Sequence, residues 1–260
     1  MAGLGLPGLW LFLTVVIGAS VALAVGAVWL ANRTVYRAGA TPQTGSLSPF
    51  LTTVALVYGA LLGFTVVVAW EQFSSAEANV TNESSTLATM YRQTVSLPAP
   101  EQTAMRDLLR TYTAAVQAEW DSQGTGDAST SARAAITDMY GMLGQQQSPS
   151  ADPINAEIRE QLNVLTSQRN TRVLDAKPRI PGLLWSGLLF GAVLLIGLTG
   201  YTHLGNTFNH MILSSAIAIL LGLLLFLIFW LDHPFGRELG VTPAVFDYTV
   251  QVFDGVDHRA

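Results

Sequence analysis

The sequence predicts an all-α membrane protein: four transmembrane helices, with a helical extramembrane domain inserted between the second and the third. Three observations predict it. Four apolar stretches, Gly8–Ala31, Phe50–Trp70, Gly182–Thr202 and Met211–Leu231, contain no Asp, Glu, Lys or Arg. Each reaches the roughly 20 residues needed to cross a bilayer core about 30 Å thick. The segment between the second and third stretches, residues 71–179, carries apolar residues at three- and four-residue steps on a polar background, which is the pattern of amphipathic helices. No segment alternates with the period of two that a half-buried strand requires.

Taken in order, the first stretch reads as a retained span. No Lys or Arg precedes Gly8, and the apolar run continues to Ala31, beyond the 7–15 residues of a signal-peptide core. Residues 33–49, rich in Gly, Thr, Ser, Pro and Gln, read as a loop. Span two then continues from Glu71 to Leu97 without Gly or Pro. Phe73, Val80 and Leu87 recur there at seven, with Met90 and Tyr91 a turn further, until Pro98 and Pro100 stop the helix. A second extramembrane helix over about 101–121 aligns Met105, Leu108, Leu109, Tyr112, Val116 and Trp120. A third, over about 131–146, aligns Ala132, Ile136, Met139, Tyr140 and Leu143. A fourth starts at Asp152-Pro153, a good N-terminal signal, and carries Ile154, Ile158, Leu162 and Leu165. Four amphipathic helices of this kind pack as an antiparallel bundle. After span four, a tail over residues 232–260 contains Thr242-Pro243 and a short helix whose Val245, Phe246, Val250 and Phe253 suit docking on the membrane interface or on the bundle.

Composition removes several classes of function. The chain of 260 residues has a formal charge of −5, which leaves no broad basic surface for nucleic acid. It has no cysteine, so disulfides, thiolate catalysis and iron–sulfur clusters are excluded. A single lysine, Lys177, against twelve arginines, with many Ala and Gly, suggests a bacterial source of high GC content. Four spans place both termini and residues 71–179 on one side. Arg169, Arg172, Lys177, Arg179 and Arg237 on that side, against Arg33 and Arg37 on the other, favour a cytoplasmic long segment and cytoplasmic termini in an inner membrane.

The most unusual segment is 71–90. It holds Glu71, Glu77 and Glu83 with Asn79, Asn82 and many Ser and Thr, and has no basic residue before Arg92. Carboxylates with short polar neighbours are what a cation-lining helix needs; the plain structural reading is a solvated stalk. Small residues at four-residue spacing, among them Ala55/Gly59/Gly63 and Ser214/Ala218/Gly222, allow helices to approach closely, within one chain or between copies. Asp232-His233-Pro234-Phe235-Gly236 closes span four. It reads either as a helix stop with an aromatic anchor or as a titratable pair at a pore mouth. His203 and His210 bracket the turn between spans three and four, which is too few ligands for a metal site. Gly3-x-Gly5-x-x-Gly8 follows no strand and is no dinucleotide loop. No catalytic residues, metal site or cofactor motif stand out, and the chain is read as a non-enzyme.

Several short motifs in the right order resemble the bestrophin-like family of bacterial membrane proteins. They are Gly59-Ala60-Leu61-Leu62-Gly63-Phe64, Glu77-Ala78-Asn79, Tyr91-Arg92 ahead of Leu97-Pro98, and Asp232-His233-Pro234-Phe235-Gly236. Likeness to bestrophins implies a homo-oligomeric ion channel, with a helical cytosolic domain and a pore lined by the second span. The expectation is therefore a channel passing inorganic ions, with Gly59, Gly63, Glu77, Asn79, Asn82 and Glu83 lining the pore, and with Asp232, His233 and Phe235 at its mouth or at an interface. The competing expectation is a non-conducting membrane scaffold or sensor whose helical domain binds a partner protein.

Overall fold

Among the described residues every regular element is helical. The computed structural model describes residues 6–36, 44–120, 130–145, 152–202, 206–235 and 240–258. The helices are α1 (Leu6–Ala31), α2 (Thr44–Gln93), α3 (Ala99–Glu119), α4 (Thr130–Gln145), α5 (Asp152–Asp175), α6 (Gly182–Tyr201), α7 (Thr207–Leu231) and α8 (Ala244–Asp257). Four of them, α1, α2, α6 and α7, are long and apolar enough to cross a membrane. By internal contacts the chain divides into two units. One is built on Gly5–Gln72 and Pro178–Asp232, the other on Phe73–Lys177 and His233–Ala260.

In the first unit α1 packs on both α6 and α7. The pairings give their directions. Phe12 meets Phe226 and Phe229 at ring-centroid distances of 5.9 and 5.1 Å, and Trp185 meets Phe229 at 6.2 Å, all at one end. Further along, Gly222 lies against Ser20, and at the other end Gly200 lies on the backbone of Ala27. So α1 and α6 run the same way and α7 runs against both. Close approach is the reason for glycine at 200, where an added Cβ would stand 2.9 Å from the Ala27 carbonyl carbon. Tyr58 of α2 donates its hydroxyl to the Leu188 carbonyl at 2.6 Å and lays its ring over Gly191. Satisfying a polar group internally is what a bilayer demands. His210 bonds the Thr199 carbonyl at 2.8 Å through Nε2, while His203 falls outside the described residues.

In the second unit the apolar stripes expected from the sequence form one core. Val80, Leu87 and Met90 of α2, Met105, Leu109 and Val116 of α3, Met139 and Leu143 of α4, and Ile158, Leu162 and Leu165 of α5 are all buried there. The tail helix α8 joins them through Phe246 and Phe253, which are fully buried. Phe253 stacks on Tyr91, with ring centroids 4.0 Å apart.

Two expectations change at prolines. Residues 33–49 are not all loop: Asn32–Tyr36 forms a π-helical turn, and α2 already begins at Thr44 with Pro49 inside it. Residues 37–43 lie outside the described part. Pro49, the sixth residue of α2, forgoes one intrahelical bond, but proline in the first turn loses little, because the N–H groups there have no intrahelical acceptor. For the same reason Pro100, expected to stop the helix before it, sits in the first turn of α3. The stop itself is a short 3-10 turn over Thr94–Ser96 and extended backbone at Leu97.

Candidate functional site

The residues singled out in the sequence concentrate on α2, whose extramembrane half presents two different faces. One face continues the apolar stripe. Ala76, Val80, Glu83, Leu87 and Met90 recur at alternating steps of four and three, and all five are buried. The same rhythm holds on α3 through Met105, Leu109, Tyr112, Val116 and Glu119, and on α5 through Ile158, Leu162, Leu165, Arg169, Arg172 and Ala176. Each stripe therefore carries charge into the core, and the charges converge. Arg172 donates from Nε to Glu83 Oε2 at 2.7 Å and from one terminal nitrogen to Glu119 Oε1 at 3.0 Å. Tyr112 donates its hydroxyl to Glu83 Oε1 at 2.5 Å. The guanidinium lies 5.6 Å from the ring centre of Trp120, whose indole N–H bonds the Val241 carbonyl at 3.1 Å.

Burial and charge act together on these groups. Burial, and then the neighbouring Glu83 charge, push the Tyr112 hydroxyl well above its ordinary value, so it remains a donor. Burial works against the Arg172 charge, but Glu83, Tyr112 and Glu119 outweigh it and hold the guanidinium protonated more firmly than in water. Glu83 is thus a fully buried partner of Arg172 within its own chain rather than a solvent-facing group. Its position in register with Val80 and Leu87 is the signal that identifies it. Arg169 and Arg172, counted toward orientation in the sequence, are also buried.

Asn79 sits beside this cluster, half-buried, and donates to Asp175 Oδ2 at 2.7 Å. Ser84 and Thr249 share a 2.5 Å hydroxyl contact that ties α2 to α8. Further along, Tyr91 donates to Asp257 at 2.7 Å, and Arg110 bonds Asp254 and Asp257 at 2.8 Å each. Partial burial opposes ionisation of Asp257, but the bonds from Tyr91 and Arg110 and the charges of Arg106 and Arg110 hold it below the usual aspartate range.

The other face of α2 is open. Glu71, Glu77, Thr81, Asn82, Ser85 and Thr89 are exposed. Gly59 and Gly63 are exposed as well, and a Cβ added at either would meet nothing within 4 Å. By contrast, Gly191, Gly200 and Gly222 are filled by neighbours within the chain. Glu77 follows Gly59 by eighteen residues, and Thr81 follows Gly63 by the same number. At 3.6 residues per turn that is five whole turns, so on this helix they share one azimuth.

The residues closing span four separate. Asp232 is 2% exposed. Its carboxylate accepts from the backbone N–H groups of Arg179 and Ile180, each at 3.0 Å, and from the Trp185 indole at 3.4 Å. Arg179 and Ile180 lie between Pro178 and Pro181, outside any helix, so the carboxylate supplies the acceptors those donors need. Phe235 belongs to the other unit, where it is buried edge-on against Trp120 at 5.6 Å, and His233 is half-buried. Among the described residues no three His, Cys, Asp or Glu side chains group as metal ligands would.

A family profile described as the Bestrophin-like domain matches residues 18–246. No curated protein matches the chain. Among solved structures, a bacterial bestrophin homologue from Klebsiella pneumoniae superposes with a TM-score of 0.73 at 15% identity, covering 94% of this chain and 97% of that one. Two point variants of a bacterial bestrophin homologue from the same organism give TM-scores of 0.71 and 0.72, at 12% and 14% identity. They cover 94% and 93% of this chain and 98% and 97% of theirs. At such identities the likeness establishes the fold, and the profile match over most of the sequence establishes kinship: this chain belongs to the bestrophin-like family.

Proposed function

We propose that this chain is one subunit of a homo-oligomeric ion channel of a bacterial inner membrane, with the second span and its extension lining the pore. The observation that carries the reading is the open face of α2. An added Cβ at Gly59 or Gly63 on it would meet nothing within 4 Å among the described residues, and five turns on the same azimuth it presents Glu77 and Thr81 to solvent. Rotational symmetry would turn one exposed Glu77 into a ring of carboxylates, with Glu71 and Asn82 nearby on the helix, and such rings favour cations. With no basic residue before Arg92, nothing on this stretch of α2 opposes that charge. Asn79 and Glu83 in this reading hold the helix in place from behind, bonded to Asp175 and Arg172. Asp232 and Phe235 brace the ends of their elements, and the termini and the helical unit lie in the cytoplasm.

Purified protein in liposomes tests this. The expected result is cation flux from an oligomer, with Glu77→Gln lowering the cation-over-chloride permeability ratio several-fold. A monomer in detergent, or absence of flux across a range of pH and calcium, overturns it and favours the scaffold reading, which predicts a stable co-purifying partner protein.

A further inference from the structure

We propose that Arg92 sets the valence selectivity of the pore, letting monovalent cations reach the Glu77 carboxylates and holding divalent ones back. The inference rests on the channel reading above and deepens it. It starts from the end of the open face of α2. Thr81 and Arg92 are eleven residues apart, just over three turns, so they fall within about 20° of one azimuth. Arg92 stands in the last turn of α2 and is exposed. Among the described residues its side chain makes neither an ion pair nor a hydrogen bond. Several other arginines of the helical unit are engaged. Arg106 and Arg110 pair with Asp257 and Asp254, Arg159 donates to the Leu143 carbonyl, and Arg172 holds Glu83 and Glu119.

The spacing along the helix decides what this charge does. Glu77 lies fifteen residues before Arg92, about 22 Å along the axis and about 60° round it. Between them the open face carries Ala78, Thr81, Asn82, Ser85 and Thr89, all exposed and all uncharged. Glu83 is buried and bonded to Arg172. Glu157 accepts from Gln93, which is turned about 100° from Arg92. The Debye length at physiological salt is about 8 Å. Arg92 is therefore too far along the helix to neutralise Glu77, and the two act as separate stations. In a symmetric oligomer each becomes a ring. The carboxylate ring gathers cations, and the guanidinium ring repels them. Coulomb energy is proportional to the charge of the passing ion. A barrier that slows a monovalent ion by some factor thus slows a divalent ion by the square of that factor. A cation in the last turn also suits the helix dipole, but that role alone predicts no change in the ratio of two ions.

Uptake of potassium and of barium, ions of similar size and different charge, into liposomes holding the full-length protein tests the assignment. At low salt Arg92→Gln should raise potassium flux about threefold and barium flux about tenfold, the square that the charges require. High salt should shrink both gains. Arg92→Lys keeps the charge and should match the unmodified protein. Thermal unfolding of both variants should be unchanged, since the side chain is exposed and bonds nothing among the described residues. An unchanged barium-to-potassium ratio in Arg92→Gln overturns the proposal and leaves the channel reading standing. So does an equal gain in Arg92→Lys and Arg92→Gln. An unmodified protein that passes neither ion overturns the channel reading, and this proposal with it.

Discussion

Arg172 and Glu83 meet at 2.7 Å with both side chains wholly removed from solvent, joining α5 to α2 inside the helical unit. A buried pair of this kind returns little net stability, because desolvation of both ions offsets their attraction. Breaking it is another matter, since the survivor is left charged and unpaired.

Arg172→Met leaves two buried carboxylates, Glu83 and Glu119, without their shared cation, and should cost about 3–5 kcal/mol. Glu83→Gln keeps a hydrogen-bonding side chain of the same shape and should cost less. Replacing Glu83, Glu119 and Arg172 together by apolar residues of similar volume should recover most of the loss. Thermal unfolding of the purified protein in detergent measures all three; an Arg172→Met protein as stable as the parent would contradict the argument.

Acid should loosen α8 before it unfolds the rest of the helical unit. The folded-state value of Asp257 lies below the ordinary aspartate value near 3.8. Its contribution to docking is therefore complete above that value and is lost as pH falls from about 3.8 through the lower folded value. Asp254 and Asp257 are partly exposed, so salt screens their pairing with Arg110 and the effect is modest. Hydrogen exchange in α8, followed from pH 5 to pH 3 at low and high salt, should show the loss. Arg106→Gln, which removes the 2.9 Å ion pair to Asp257, should move it to higher pH.

The glycines of the spans should divide into two classes. Gly200→Ala forces a methyl group onto the Ala27 backbone and should cost about 1–3 kcal/mol. Gly59→Ala and Gly63→Ala meet nothing within 4 Å among the described residues and should leave unfolding unchanged. If α2 faces another copy, Gly59→Leu should instead shift the oligomer distribution, as seen by size-exclusion chromatography with light scattering.

Asp232→Ala strands the N–H groups of Arg179 and Ile180 together with the Trp185 indole. Buried donors left without acceptors cost about 1–3 kcal/mol each. Asp232→Asn, which retains one oxygen, should recover part of the loss. Trp fluorescence at the α6 end and the unfolding midpoint report the difference; equal stability of the alanine and asparagine variants would show that the carboxylate is dispensable.

The four spans and the amphipathic helices were legible because each rests on a local property, either an uncharged run long enough to cross a bilayer or apolar residues one helical turn apart. The direction in which Glu83 faces was harder to read. In a list of polar residues on α2 it looks like Glu77, yet only Glu83 falls in step with Val80 and Leu87. Its partners Arg172 and Tyr112 are 89 and 29 positions away in sequence, each in step with another apolar stripe, and no local rule joins them. Asp232 was legible as the end of a helix, but its three donors come from residues more than 40 positions earlier. The proline boundaries were misjudged because proline within a helix depends on its distance from the start, which the sequence leaves open by several residues.

The burial of Arg169 and Arg172 separates two moments in the life of the chain. A membrane-insertion apparatus meets the polypeptide before its helices have packed, when every guanidinium is solvated and weighs on which side stays behind. Once α5 has closed on α2 and α3, both are buried, and Arg172 is held between Glu83 and Glu119. The charges available to an orientation rule in the nascent chain are therefore a larger set than those exposed on the folded protein. A substitution at Arg172 can act twice, first on the direction of insertion and later on the cohesion of the bundle.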